Sequence, residues 1–491
     1  RGLDGWLYAC HGFSNITEVA GTDGHRIRLH SGNVFRMRLD GSRVERFSNG
    51  QVNPFGLAFD RFGDFFSADC HTKPLSLLIQ DGYHESFGAP HDGLGFVPAI
   101  MNHNHGSTAI CGVALGSSTA FGKLYSDSAF GGNVTTCRIN RNTLVRNGSS
   151  LRAREEPDFL VSGDPWFRPV YLQAGPDGAL YVADFYNKII GHYEVPLTHP
   201  GRDRHRGRIW KISYRGSDLR RDVRAAASGY GAGGNLGQLP IKKLLGELSS
   251  RQLARRTLAL DELERRPVME AIRELRARLP GGGGLWLAYA YRALGRLGAL
   301  EDADLAAATL HPAAIVRVHA QRLLAETLIE GDKPAGWILA GFKDRDSMVR
   351  RAAVQAAASR PAQRLLHPLL ALYQSTSKVD VHLRHSIRIA LRNHLRNDEW
   401  FRKLTARELS VQESNLLISI CLALKNRGAG EYILSRLDRL ASLPTERIGE
   451  YLRFASRYVA GESMARVVTF SREKFRHDRN LQGELLEFIR Q

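Results

Sequence analysis

Cysteine is scarce in this 491-residue chain. The five are Cys10, Cys70, Cys111, Cys137 and Cys421, and no two form a C-x-x-C pair. That excludes zinc ribbons and c-type haem attachment within the chain. Cys10 and Cys70 close equivalent strands. A disulfide between them is one reading, and buried free thiols are the favoured one. No apolar run approaches the ~20 residues of a membrane span. An initiating Met is missing, and no leader sequence is visible. The chain opens inside a repeat, which is expected of a truncated N-terminus with roughly two repeat units missing. Acidic charge is also short: net charge is +18. Residues 1–215 hold 23 Lys and Arg against 20 Asp and Glu, leaving 45 against 30 for the remainder. The excess therefore sits in the C-terminal half. Spread along helices, it reads as a solvated Arg-rich face more readily than as a nucleic-acid or lipid-binding run.

Present in the N-terminal half is a repeat. Gly-x-(Leu/Phe)-(Tyr/Phe) recurs at Gly5, Gly63, Gly122 and Gly178, at intervals of 58, 59 and 56 residues. The Gly122 copy is the weakest, and AFGGNVTTCRI just downstream competes with it for the strand. The best copy, from Asp164 to Ile190, has an apolar strand PVYLQA, the turn PDG and a second strand ALYVADFYN. Pro presets the turn's φ and Gly accepts a positive one. One hairpin cannot bury both faces, so it needs neighbours of its own kind. The expected fold is an all-β propeller over 1–215, about four blades of a ring that would be six in full. A glycine-rich linker follows at 216–237. Residues 238–491 show the 3.6 period in LARRTLALDELE, IVRVHAQRLLAETL, MVRRAAVQAAA and LRHSIRIALRNHL. Pro267, Pro312 and Pro361 stand where helices should begin. An apolar–Arg pair recurs at Val316-Arg317, Val349-Arg350 and Leu383-Arg384. Such helix pairs are expected to stack as an all-α HEAT-like solenoid.

Strand entrances and exits of successive blades meet at one mouth, and they define the candidate residues. His103 and His105 in MNHNHGST can take a proton from a hydroxyl, or bind metal because H-x-H turns both rings to one face. The alternative is loop histidines bonded to backbone. Arg168, beside Trp166, can grip a carboxylate, or else pair with Asp164 or a neighbouring blade. Asp184 and Asn187, and likewise Asp69, offer oxygens to calcium, or else close the turns as Asx bonds. His71 shares Asp69's ambiguity. Asn53 and His11 lie at the same mouth. HDGLGFVP at 91–98 lines the approach or is structural.

Together GWLYACHG, NPFGLAFD, GDFFSADCHTKPL, PHDGLGFVP, HNHGSTAICG, DPWFRPV, GPDGALYVADFYNKIIGHYEVPL and HPGRDRHRGRIWKI resemble the membrane-bound dehydrogenase propellers found mainly in planctomycetes. Those are similar to the six-bladed quinoprotein sugar dehydrogenases, and ADFYNKI resembles an NHL-type blade. The resemblance covers residues 2–215. The helices after it resemble only the general HEAT-like helices of such proteins. It implies pyrroloquinoline quinone and calcium as cofactors, with His105 as base and Arg168 holding the quinone. Read from the residues themselves, His103 is the second base candidate, Trp166, Asn53 and His11 lie at the same mouth as cofactor-binding candidates, and Asp184, Asn187 and Asp69 are the calcium candidates. The resemblance also implies a sugar or other alcohol as substrate, an exported, periplasmic or membrane-associated location, and electron transfer to a cytochrome c. Relatives often carry that haem domain at their C-terminus, and its C-x-x-C-H site is not in this chain. The alternative function is a non-enzymatic scaffold that binds glycan or protein, with the helices as a protein-docking face. No nucleic-acid partner is expected.

Overall fold

The structure, a computed structural model, describes residues 1–118, 120–191, 195–216, 235–327, 331–478, 480 and 482–483. Most of the glycine-rich stretch, 217–234, lies outside the described residues.

The strands are β1 (Leu7–Cys10), β2 (Thr17–Ala20), β3 (Arg26–Leu29), β4 (Val34–Met37), β5 (Glu45–Ser48), β6 (Pro54–Phe59), β7 (Phe65–Asp69), β8 (Ser76–Leu78), β9 (Ile110–Leu115), β10 (Ser128–Asn133), β11 (Arg138–Asn147), β12 (Ser150–Val161), β13 (Pro169–Ala174), β14 (Leu180–Asp184) and β15 (Arg208–Ile212). Among the described residues they form four small antiparallel sheets, β1-β4-β5, β6-β7-β8, β9-β10-β11-β12 and β13-β14-β15, and a separate hairpin β2-β3. The GDFF and GALY strands, β7 and β14, are the middle strands of their sheets, whereas GWLY supplies the edge strand β1. At the Gly122 copy, Lys123–Ser126 is a short helix, and the strand is β10 downstream. Tyr125 there packs its ring against Phe159 and Tyr214, so the motif's aromatic residue serves a loop core.

Strand alternation explains how the sheets stack. Phe65 and Phe66 point to opposite faces of β7. Phe65 joins Val34 and Phe47 of the first sheet, while Phe66 joins Ile110, Val113 and Leu115 of the third. A further apolar cluster of Phe130, Ile139, Leu172, Leu180 and Val182 joins the third and fourth. Each fully buried Phe contributes about 1.5–3 kcal/mol. Close approach of β6, β9 and β13 requires glycine. A Cβ on Gly56 (φ +127°) would lie 2.6 Å from Gly112 Cα, and one on Gly112 (φ +68°) 2.9 Å from Tyr171 Cα.

The helices match the periodic stretches: Leu253–Glu264, Ala314–Glu326, Ser347–Ser359 and Val381–Leu395. Pro267 caps Val268–Arg278, while Pro312 precedes its helix by two residues. The repeated arginines, and Arg256 with them, bond to backbone carbonyls, and Arg317 also pairs with Asp344. Arg256 donates to the carbonyls of Ser250 and Arg251, Arg317 to His311 and Pro312, and Arg350 to Asp344 and Arg345. Each satisfies the carbonyls five and six residues back, at the turn before its own helix, where backbone acceptors have no helical partner. Arg384 reaches further back, to the carbonyls of Tyr373 and Thr376 at the end of the preceding helix.

The chain divides into two compact units. One holds Arg1–Ala89, Phe96–Ala356 and Val379–Leu383, and the other Pro90–Gly95, Ala357–Lys378 and Arg384–Gln491. All four sheets therefore share a packed body with helices as far as Ala356. Within it, buried Asp64 pairs with Arg351 and Arg322. These guanidiniums hold the Asp64 carboxyl below its usual range despite burial, which alone would raise it. In the other unit, Asp92 pairs with Arg392, and Gly93 lies against the backbone of Leu422. The first half of HDGLGFVP is thus a packing element of that unit. No helix among the described residues is long and apolar enough to cross a membrane.

Candidate functional site

Two kinds of polar centre lie in the β half, and they differ in how completely their groups are bonded. The first kind sits where β7 and β14 end. Buried Asp69 accepts from the backbone N–H of Val52 (2.9 Å), Asn53 (3.0 Å) and His71 (3.2 Å) and from the Thr72 hydroxyl (2.7 Å). Buried Asp184 accepts from the N–H of Arg168 (2.8 Å) and Tyr186 (2.9 Å), from Arg208 Nε (2.7 Å) and from Trp210 Nε1 (2.9 Å). In both sheets the carboxylate at the end of the middle strand pins the start of the inner one. Two oxygens provide about four lone-pair sites, and each carboxylate already accepts four bonds.

Arg168 is 8% exposed. Its Nε donates to Asn187 O (2.8 Å), Nη1 to Val134 O (2.6 Å) and Thr135 O (3.1 Å), and Nη2 to Lys188 O (2.6 Å). The guanidinium ties the turn after β10 to the segment after β14. Asp164 pairs with Arg208 instead. Asn187 is buried, donating to Phe185 O and accepting from Asp203 N–H. Trp166 packs its ring on Tyr186, 5.2 Å between centroids. Asn53 accepts from Phe13 N–H, and His11 bridges His30 O and Thr17 Oγ1. These residues do not fit a quinone with calcium. The guanidinium meant for the quinone carboxylates grips backbone carbonyls, and the carboxylates meant for calcium grip N–H groups. The expected roles of Arg168, Asp184, Asn187 and Asp69 give way to the Asx and inter-sheet alternatives. The five cysteines are free thiols. Cys70 packs beside Cys111, and their thiols donate to the carbonyls of Ile110 and Ala109.

The second kind of centre is the loop before β9. In the β11–β12 ladder Asn142 stands directly opposite Glu155, so the two side chains share a face. His103 and His105 descend onto that face. His103 Nε2 lies 2.7 Å from Asn142 Oδ1. His105 Nε2 lies 3.2 Å from the same oxygen and 3.0 Å from Asn142 Nδ2, and its Nδ1 lies 3.3 Å from Glu155 Oε1. The imidazole centroids are 5.1 Å apart. Asn133 holds the loop by donating to His105 O, and its own oxygen accepts from Ser107. Asn133 leads through Asn140 to Asp158, a polar ladder across the sheet. Burial, then the positive potential of His103, lowers the His105 pKa below the usual histidine value, outweighing Glu155. The His105 side chain is 3% exposed and that of Glu155 53%. A cavity of about 530 Å³ opens here, lined by His103, Glu155, Asn102, Arg152 and Arg154. So the imidazole that meets the cavity is that of His103, with His105 behind it.

Asn142 and Glu155 were not singled out from the sequence. The signal was Asn147-Gly148, a hairpin turn flanked by alternating residues. It predicts β11 and β12. Counting back from an Asn147-Gly148 turn would place 142 opposite 153, whereas the turn residues are Gly148-Ser149, so Asn147 pairs with Ser150 and 142 stands opposite 155.

Residues 1–216 match the family described as a domain of unknown function, DUF7133. No curated protein matches the chain. Among solved structures it is similar to an oxidoreductase of the glucose dehydrogenase type from Thermus thermophilus, at 18% identity and a TM-score of 0.29, over 40% of this chain and 63% of that one. Two further glucose dehydrogenases match at 18% and 17% identity and TM-scores of 0.30 and 0.28, over 44% and 42% of this chain. The chain spans about 62% of the length of each of those two.

Proposed function

We propose that this chain is the propeller part of an oxidoreductase acting on a sugar or other alcohol, with the His103–His105–Asn142–Glu155 cluster as its proton-handling centre. The four stacked sheets are read as blades of a six-bladed ring, and the helices as a HEAT-like solenoid. The observation that carries the reading is His103. Its Nε2 lies 2.7 Å from Asn142 Oδ1, a contact that selects the tautomer with the proton on Nε2 and the lone pair on Nδ1, and the ring lines the cavity. Nδ1 takes the proton of a substrate hydroxyl while Asn142 fixes the tautomer, the role a second partner plays for a catalytic imidazole. Arg152 and Arg154 flank the cavity and favour an anionic or polyhydroxylated substrate.

The hydride goes to a two-electron acceptor, and the electrons then leave to a cytochrome c at an exported or membrane-associated location. A quinone acceptor, pyrroloquinoline quinone included, would have to bind away from Arg168, Asp184 and Asp69, to which no step is assigned. The test is dye reduction by the full chain with added pyrroloquinoline quinone and calcium, across a panel of sugars and alcohols. His103→Ala should lower kcat/KM by about 10²–10⁴-fold. An unaltered rate in that variant would reject the reading. The second reading, a glycan- or protein-binding scaffold, is favoured by the saturated corners at Asp69 and Asp184. Saturable glycan binding with no dye reduction on any substrate would select it.

A further inference from the structure

We propose that His103, His105 and Glu155 form a binding site for a divalent first-row transition ion, zinc in the first instance, with one coordination position open to the cavity. One potential ligand atom from each residue lies within 4.8 Å of the other two. A tetrahedral ion with bonds of about 2.0–2.1 Å separates its ligand atoms by about 3.4 Å. His105 Nδ1 and Glu155 Oε1 already stand 3.3 Å apart. The remaining closure lies between His103 and that pair, within the 4.8 Å that bounds the ligand atoms.

The hydrogen bonds around Asn142 fit two tautomers. His105 Nε2 lies 3.0 Å from Asn142 Nδ2 and 3.2 Å from Asn142 Oδ1. Without metal, Nε2 accepts from the amide and Nδ1–H faces Glu155 at 3.3 Å. A cation at Nδ1 takes the place of that proton and requires the other tautomer, with Nε2–H donating to Asn142 Oδ1, the oxygen that already lies 2.7 Å from His103 Nε2. Asn142 is then the outer partner that orients both ligands, the arrangement found around bound zinc. Two histidines, one carboxylate and an open position are the donor set of catalytic zinc sites. An ion there lowers the pKa of a coordinated hydroxyl. It would hand activation of the substrate hydroxyl from His103 Nδ1 to the cation. Binding itself depends on no electron acceptor, so it stands apart from the oxidoreductase reading.

The experiment is calorimetric titration of metal-stripped full-length protein with Zn²⁺, paralleled by visible absorption of added Co²⁺. One equivalent should bind. His103→Ala and His105→Ala should each abolish saturable binding, and Asn142→Ala should weaken it about 10–100-fold. Should a histidine variant fail to fold, Glu155→Gln replaces it, because that half-exposed side chain is not needed for packing. Glu155→Gln should weaken Zn²⁺ at least tenfold. Folded wild-type protein that takes up no stoichiometric metal overturns the proposal, as does affinity unchanged in Glu155→Gln or in the histidine double variant. Zinc bound without dye reduction on any substrate leaves the site standing and removes the oxidoreductase. Dye reduction by chelator-treated protein that binds no zinc does the reverse.

Discussion

The corner at Asp184 and the loop at His103–His105 lie in adjacent sheets and use similar residue types, yet they do different things. At the corner, a buried carboxylate and a buried guanidinium meet backbone groups that already fill their bonding capacity. Moving either one leaves several buried polar groups unpaired, so the arrangement is rigid and chemically closed. At the loop, two imidazoles share one amide oxygen, and a half-exposed carboxylate closes the group beside a cavity. Its protons can be rearranged without breaking the fold. A polar cluster can do chemistry only if some of its bonding capacity remains uncommitted, and that distinguishes the two centres better than residue type does.

The comparison can be broken from the corner side first. Asp184→Ala should cost about 3–5 kcal/mol, the cost of breaking a buried ion pair, read as a shift of the urea midpoint. A loss under about 1 kcal/mol would mean that water replaces the carboxylate and that the corner is not closed.

Acid titration probes burial of histidine elsewhere in the same unit. Burial pushes His84 and His382 down to about 4. Their unfolded values lie near 6.5, so between those limits the unfolded chain binds the extra protons. Their contribution is complete above about pH 6.5 and disappears as pH falls towards 4. It amounts to about 3 kcal/mol per residue at most. Stability that stays flat over that window would show that both rings reach water.

Arg168→Lys removes the planar fork while keeping the charge. It should cost about 1–3 kcal/mol and leave any dye-reducing activity per folded molecule unchanged. A selective loss of activity would return Arg168 to the site. The smallest effect sharpens the contrast from the other side. Glu155→Gln should change stability by no more than about 0.5 kcal/mol, although it impairs metal binding. A large destabilisation would make Glu155 another closed, structural carboxylate.

Much of the architecture was legible. Alternation and turn residues placed β6, β7, β13 and β14, and the 3.6 period located the helices at Leu253 and Ser347 within a residue or two. The hairpin β2-β3 was not anticipated; TEVAGTDGHRIRL is largely polar, and its strand residues are mostly exposed, so no burial pattern marks it. The repeated arginine was visible as a period. Its role was not, because the acceptors are backbone carbonyls, which every residue has.

Of the candidate site, His103 and His105 were visible because H-x-H is a local pattern. Arg168 and Asp184 looked equally functional, since a sequence shows that a charge is present and not what saturates it. Asn142 and Glu155 lie 37 and 50 positions beyond His105 in the chain.

Short-range order thus determined the strands, the turns and the helical stretches, because each depends on neighbours a few residues away. Which polar groups are closed off and which keep a free lone pair was decided by the tertiary structure alone. Hydrogen-bond saturation depends on partners brought together by sheet register and loop packing, and the linear order of residues does not record those distances.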